Sequence, residues 1–107
     1  MAKHVLVAMV NSAAGREDDF NAWYATHLKQ LLQVPGFVSA QRYQLSPVQR
    51  APSTPFHYCT VYEVETDDLE ETVEALSRKV SGADLSVMDP SAMIVNFFSA
   101  MGQRVLP

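Results

Sequence analysis

The fold class predicted for this chain is α+β, with elements in the order β-α-β-β-α-β. Three observations predict it. Four short runs, Lys3 to Asn11, Phe37 to Leu45, Phe56 to Glu65 and Met93 to Ser99, are apolar or alternating in the manner of strands. Two longer stretches between them repeat apolar residues every three or four positions, as helices with one buried side do. The breaks fall at turn-forming residues, most sharply at Pro35-Gly36.

The first strand is apolar on both faces between polar ends, as expected of a central strand covered on each side. Ser12 to Gly15 is a small-residue connection. Glu17, Asp18 and Asp19 then occupy a first helical turn, where carboxylates complement the helix dipole. In that helix Phe20, Trp23, Tyr24, His27, Leu28, Leu31 and Leu32 form one stripe, opposite a face of small and polar residues. Pro35 cannot continue the helix and Gly36 tolerates the turn that ends it. In the second strand Phe37, Ser39, Gln41 and Tyr43 share one face, with Val38, Ala40, Arg42 and Gln44 on the other. Residues 46–55, with three prolines, read as a loop. In the third strand Tyr58, Thr60, Tyr62 and Val64 face one way and His57, Cys59, Val61 and Glu63 the other. Thr66 is the expected cap of a second helix, whose stripe of Leu69, Val73, Leu76 and Val80 is purely aliphatic and which ends on Arg78 and Lys79. Residues 82–90 read as a connector, and residues 101–107 as a tail held loosely unless a partner covers Val105 and Leu106.

This order is the ferredoxin-like arrangement, a four-stranded antiparallel sheet with two helices on one face. Such a sheet leaves one apolar face uncovered. A symmetric homodimer with the two sheets face to face is the economical way to bury it.

At 107 residues the chain is read as one domain, 1–107, able to bury a core without metals or disulfides. With 48 % hydrophobic and 19 % charged residues it belongs with ordinary globular proteins, neither disordered nor membrane-spanning. A net charge of −4 with scattered Lys and Arg argues against a nucleic-acid surface. The single cysteine, Cys59, and an N-terminal apolar run cut short at Asn11-Ser12 fit a cytoplasmic setting without export. Cys59 is read as an inert packed thiol. His4, His27 and His57 lack the close spacing of a metal site, and neither a phosphate loop nor a dinucleotide fingerprint is present, so no cofactor and no metal are expected.

The segments Phe20-Asn21-Ala22-Trp23-Tyr24, Thr26-His27-Leu28 and Leu31 to Tyr43, with Pro35-Gly36 inside the last, resemble the EthD-like members of the dimeric α/β-barrel superfamily. Relatives often carry proline two residues after the histidine, where this chain has Lys29. Lys3-His4-Val5-Leu6-Val7 is similar to the first strand of the stress-responsive and polyketide-cyclase branch. The resemblance implies a ferredoxin-like protomer, a homodimer through the sheets, and a small-molecule pocket between each sheet and its helices. Members include cofactor-free cyclases, lactone isomerases and quinone-forming monooxygenases. Because heme-degrading relatives share the barrel, heme stays open as an alternative, although their arrangement of Asn, Trp and His is not clearly reproduced here.

His27 sits in an aromatic stripe where a purely structural helix would place Leu. It reads either as an acid/base group, its ordinary pKa lying near 6.5, or as a core histidine bonded to a carbonyl; the resemblance favours the first. Tyr62 and Tyr58 share a strand face, from which a phenol could stabilise an oxyanion or enolate; otherwise they are ordinary strand aromatics. His4 alternates with Leu6 and Ala8 and either lines the same pocket or is solvated at a strand end. Trp23, Tyr24, Leu31 and Phe37 would shape the apolar wall, and Asn96 would orient a ligand if it faces inward. Arg42 and Tyr43 lie on opposite strand faces, so only one sees the pocket; Tyr43 is a substrate-binding candidate, while Arg42 would either bind an acidic substrate or form an ion pair at the dimer edge. The expected activity is a cofactor-free cyclase, isomerase or lyase acting on a hydrophobic aromatic or polyketide-like carbonyl compound. The alternatives are a monooxygenase of a phenolic substrate and a non-catalytic carrier.

Overall fold

β1 (Lys3–Ser12) is paired on both sides, antiparallel to β3 (Tyr58–Glu65) and to β4 (Met88–Ser99), and β3 carries β2 (Phe37–Gln44) on its other edge. The sheet order is β2-β3-β1-β4, with α1 (Glu17–Leu31) and α2 (Leu69–Val80) completing the ferredoxin-like fold. This computed structural model describes residues 1–52 and 54–107. Among the described residues no helix is long and apolar enough to cross a membrane.

Strand alternation decides which side chains are buried. Leu6, Ala8 and Val10 of β1 lie under the helices, 2 to 6 % exposed, in rows with Tyr62, Thr60 and Tyr58 of β3. Val5, Val7 and Met9 point the other way and are only half-buried. Beside them stand Val61, Cys59, Ile94 and Phe98, the last 58 % exposed, on a sheet face that none of the described residues covers. The chain is accordingly a slab of 41 × 39 × 20 Å, two layers thick.

Several boundaries depart from the expectation, each for a local reason. α1 ends at Leu31, and tighter bonds from Gln33 N–H to the Gln30 carbonyl and from Val34 N–H to the Leu31 carbonyl carry the chain into Pro35-Gly36. Gly36 has φ +98° and accepts a 2.8 Å bond from the Glu65 amide, which ties this turn to the end of β3. A register shift between Phe37 and Ser39 puts Phe37 on the helix side with Ala40 and Arg42, instead of with Ser39, Gln41 and Tyr43. β3 begins at Tyr58, not Phe56. The cap of α2 is Asp68, which accepts from the Glu71 amide at 3.1 Å, while Thr66 accepts from the Asp68 amide and shapes the turn before it. β4 starts at Met88 rather than Met93, and it includes Pro90 because it is an edge strand with a register shift opposite Val10 and Ser12. After Ala100, whose amide bonds the Lys3 carbonyl, the tail leaves the sheet; Val105 is 91 % and Leu106 73 % exposed.

Candidate active site

The helices do not close over the sheet completely. Between α1, α2, β1 and the near edge of β4 lies a cavity of about 180 Å³. Leu6, Ala8 and Val10 form its floor with Tyr62; Trp23, Tyr24, His27 and Leu31 of α1 form one wall; Leu76 and Val80 of α2 form the other. Leu85 and Met88, in and after the connector, and Met93 and Val95 of β4 complete it. The helical period makes the first wall, since Trp23, His27 and Leu31 are successive four-residue steps along α1. A hollow of this size is somewhat larger than the ~150 Å³ apolar cavity that accepts benzene.

Polarity in the cavity comes chiefly from three rings. His27 stacks on Trp23 with centroids 4.2 Å apart and 22° between planes, and meets Tyr24 edge-on at 5.7 Å. Burial lowers its pKa to about 4, so the imidazole is neutral at physiological pH. No hydrogen bond to the His27 ring forms among the described residues, and no fully buried side-chain nitrogen or oxygen among them lacks a partner. The ring nitrogens of His27 are therefore accessible instead of sealed in the core. Tyr62, 1 % exposed, has its hydroxyl pKa pushed up by burial and by Tyr24, with Arg42 opposing; it is a protonated donor. Burial also raises Tyr24, against the pull of the Thr60 hydroxyl and of Arg42. A neutral acceptor and protonated phenols in an apolar hollow suit a ligand with a carbonyl or an acidic hydroxyl.

Of the residues expected at the site, His27, Tyr62, Trp23, Tyr24 and Leu31 are brought together here. The other five lie elsewhere. Tyr58 packs on Phe20 at 5.0 Å, beneath Arg42. Phe37 is buried behind Tyr62, at 5.8 Å. His4 stands on the helix side of β1 but at its far end, with Nδ1 2.8 Å from the Ser99 hydroxyl and Nε2 3.1 Å from the Thr66 carbonyl, so both nitrogens are engaged structurally. That end holds a larger hollow of about 750 Å³, a trough between β1, β3 and the tail, of which His4 forms one wall. Tyr43, paired with Cys59, and Asn96, paired with Val7, both lie on the uncovered sheet face. It is Arg42 that turns toward the helices, its guanidinium 4.6 Å from the centre of the Tyr24 ring.

Sequence reasoning missed the contribution of β4 and the connector, and it read the aliphatic stripe of α2 as plain core. The available signal was the alternation of Met93, Val95 and Phe97, which register places beside Val10, Ala8 and Leu6.

No family model matches the chain, and no curated protein is matched by sequence. Solved structures do match. A dimeric ferredoxin-like protein of unknown function from Jannaschia sp. CCS1 superposes with a TM-score of 0.69 at 10 % identity, over 92 % of this chain and 99 % of the other. An EthD family protein from Bacillus halodurans C-125 gives 0.58 at 10 % identity, over 94 % and 100 %. A mutant of SnoaB, a cofactor-independent oxygenase from Streptomyces nogalater, gives 0.58 at 14 % identity, over 98 % and 97 %. The fold of the chain is thus the ferredoxin-like α+β fold found in an EthD family protein, as the sequence of α1 and β2 suggested.

Proposed function

We propose that this chain is a cofactor-independent enzyme that moves a proton on a small hydrophobic carbonyl or phenolic compound, in the course of a cyclisation, isomerisation or cleavage. His27 accepts a proton from the ligand, leaving an enolate or phenolate whose oxygen accepts a hydrogen bond from the Tyr62 hydroxyl; the proton then returns to the rearranged product. Negative charge forming on the ligand raises the basicity of the adjacent imidazole as transfer proceeds. Trp23, Tyr24 and Leu31 hold the ring of the ligand and exclude water. The observation carrying this reading is an imidazole that lines an apolar cavity without a hydrogen-bond partner among the described residues, above a floor that includes a protonated phenol. The volume of about 180 Å³ favours a single-ring compound over a multi-ring polyketide.

The working unit in this reading is a homodimer. Its support is the uncovered row of Val5, Val7, Met9, Ile94 and Phe98, and the description of the Jannaschia protein, which shares the fold, as dimeric.

A second reading, a carrier that holds the same ligand unchanged, is favoured by one observation: with a pKa near 4, the His27 imidazole is a weak base. Oxidation of a phenol by molecular oxygen is the other variant, supported by the shared fold with SnoaB.

Native mass spectrometry against pooled phenols, quinones, lactones and short polyketides separates these. One ligand per protomer, converted to a product of new mass by the native chain and not by a folded His27→Ala variant, is the expected result. A ligand retained unchanged assigns the carrier, and full turnover by the variant removes His27 from the chemistry.

A further inference from the structure

Among the register-paired strand residues on the helix side of the sheet, Arg42 is the one with a permanent charge, and the proton-transfer reading leaves it unused. Its guanidinium lies over three rings, 4.6 Å from the centroid of Tyr24, 5.4 Å from Phe20 and 5.8 Å from Tyr58. Nη2 donates to Asn21 Oδ1 at 2.9 Å. No carboxylate among the described residues lies within ion-pairing distance, and the acid Asp19, two residues before Asn21 on α1, pairs with Arg16 instead. A half-buried cation in an aromatic box with no counter-ion attracts negative charge placed nearby.

Tyr24 connects this box to the cavity, because its ring is both a cavity wall and the surface on which the guanidinium rests. We infer that Arg42 is a positioning residue: it fixes Tyr24 at the cavity wall and, through it, biases the cavity toward an anionic guest, a phenolate or enolate, over the neutral conjugate acid. The inference rests on the proposed reading of the cavity as the site of a carbonyl or phenolic ligand. The titratable groups around the box are Tyr24 and Tyr62, on both of which Arg42 acts to ease ionisation, together with Tyr58; Cys59 lies across the sheet on its other face, and none of these is a carboxylate that would cancel the cation.

4-Nitrophenol is a suitable probe, since it offers both forms in one molecule, and Trp23, the only tryptophan, reports its entry by fluorescence quenching. Affinities are measured below and above the ionisation of the probe, both well above the pH at which His27 titrates. The native chain is expected to prefer the phenolate. Arg42→Gln, which keeps a planar amide near Asn21, is expected to lose about tenfold in phenolate affinity with phenol affinity unchanged, a loss equivalent to one pKa unit. Arg42→Lys is expected to retain most of the preference. An unchanged preference in Arg42→Gln overturns the inference, as do equal losses for both forms, which would mark a packing role. Should Arg42→Gln fail to fold, loss of the preference in a folded Arg42→Lys overturns it as well. If the native chain binds neither form, the reading of the cavity itself falls, and the inference with it.

Discussion

The imidazole of His27 lies flat against the indole of Trp23, 4.2 Å between centroids, one helical turn further along α1. The stack shields one face of the imidazole, and burial holds its pKa at about 4, below the ordinary 6.5. Because the folded pKa is depressed, the unfolded chain binds the proton first as pH falls. The stabilising contribution is complete above pH 6.5 and is lost as pH drops toward 4. For a ring that is only partly buried, solvent screening reduces this to about 1 kcal/mol. Urea unfolding of native chain and His27→Gln at neutral pH and near pH 4 checks it: the difference between the two proteins should shrink or reverse on acidification. Trp23→Ala should move the histidine titration, followed by NMR, upward toward 6.5.

Tyr62 is 1 % exposed, yet only its hydroxyl is asked to do chemistry, so Tyr62→Phe separates packing from hydrogen bonding. The ring contact with Phe37 at 5.8 Å survives the change. Stability should move by less than about 1 kcal/mol, whereas affinity for a carbonyl ligand should fall about tenfold, the worth of one hydrogen bond in an apolar site. Calorimetric titration against the same ligand in both proteins measures it.

The uncovered sheet face predicts association. Val7, at its centre, pairs with Val61 and Asn96 and is flanked by Val5 and Met9. Val7→Asp would bury a carboxylate without a partner in a sheet-to-sheet interface but leave it solvated in a free protomer. Sedimentation should find the native chain dimeric and Val7→Asp monomeric, with helix content unchanged. A monomeric native chain would contradict the interface.

The parts of the site that could be read from sequence are those where residue type and period agree. His27 stood out because it interrupts an apolar stripe, and a 3.6-residue period leaves no doubt which face of α1 it shares with Trp23 and Leu31. Strand faces were harder. The shift at Val38 changes parity between Phe37 and Tyr43, and a slip of one residue exchanges the two faces of a strand, which is why strict alternation from Phe37 turns Tyr43 inward whereas the fold turns Arg42 inward. In β4 both alternate sets, Met93-Val95-Phe97 and Ile94-Asn96-Phe98, are rich in apolar residues, so alternation could not assign Asn96 to a side. His4 does alternate with Leu6 as read, but where along the sheet the helices end is a tertiary fact, and it places His4 beyond the cavity beside Thr66.

The turn at Gly36 offers the sharpest test of the fold. Its φ of +98° is a region that side chains with a Cβ rarely adopt, and a Cβ built there would stand 3.2 Å from the Glu65 carbonyl oxygen. That oxygen belongs to β3 and cannot swing aside as a flexible side chain could, since the Glu65 amide is itself bonded to the Gly36 carbonyl at 2.8 Å. Strain and steric contact therefore act together in Gly36→Ala, and the substitution should destabilise by about 1 to 3 kcal/mol. By contrast Gly82, although its φ is +79°, has nothing within 4 Å of a built Cβ, so Gly82→Ala carries the backbone cost alone and should destabilise less. Thermal unfolding of the two variants side by side decides it. Equal losses would mean that the Glu65 contact relaxes freely and that the α1-β2 turn is not braced against β3.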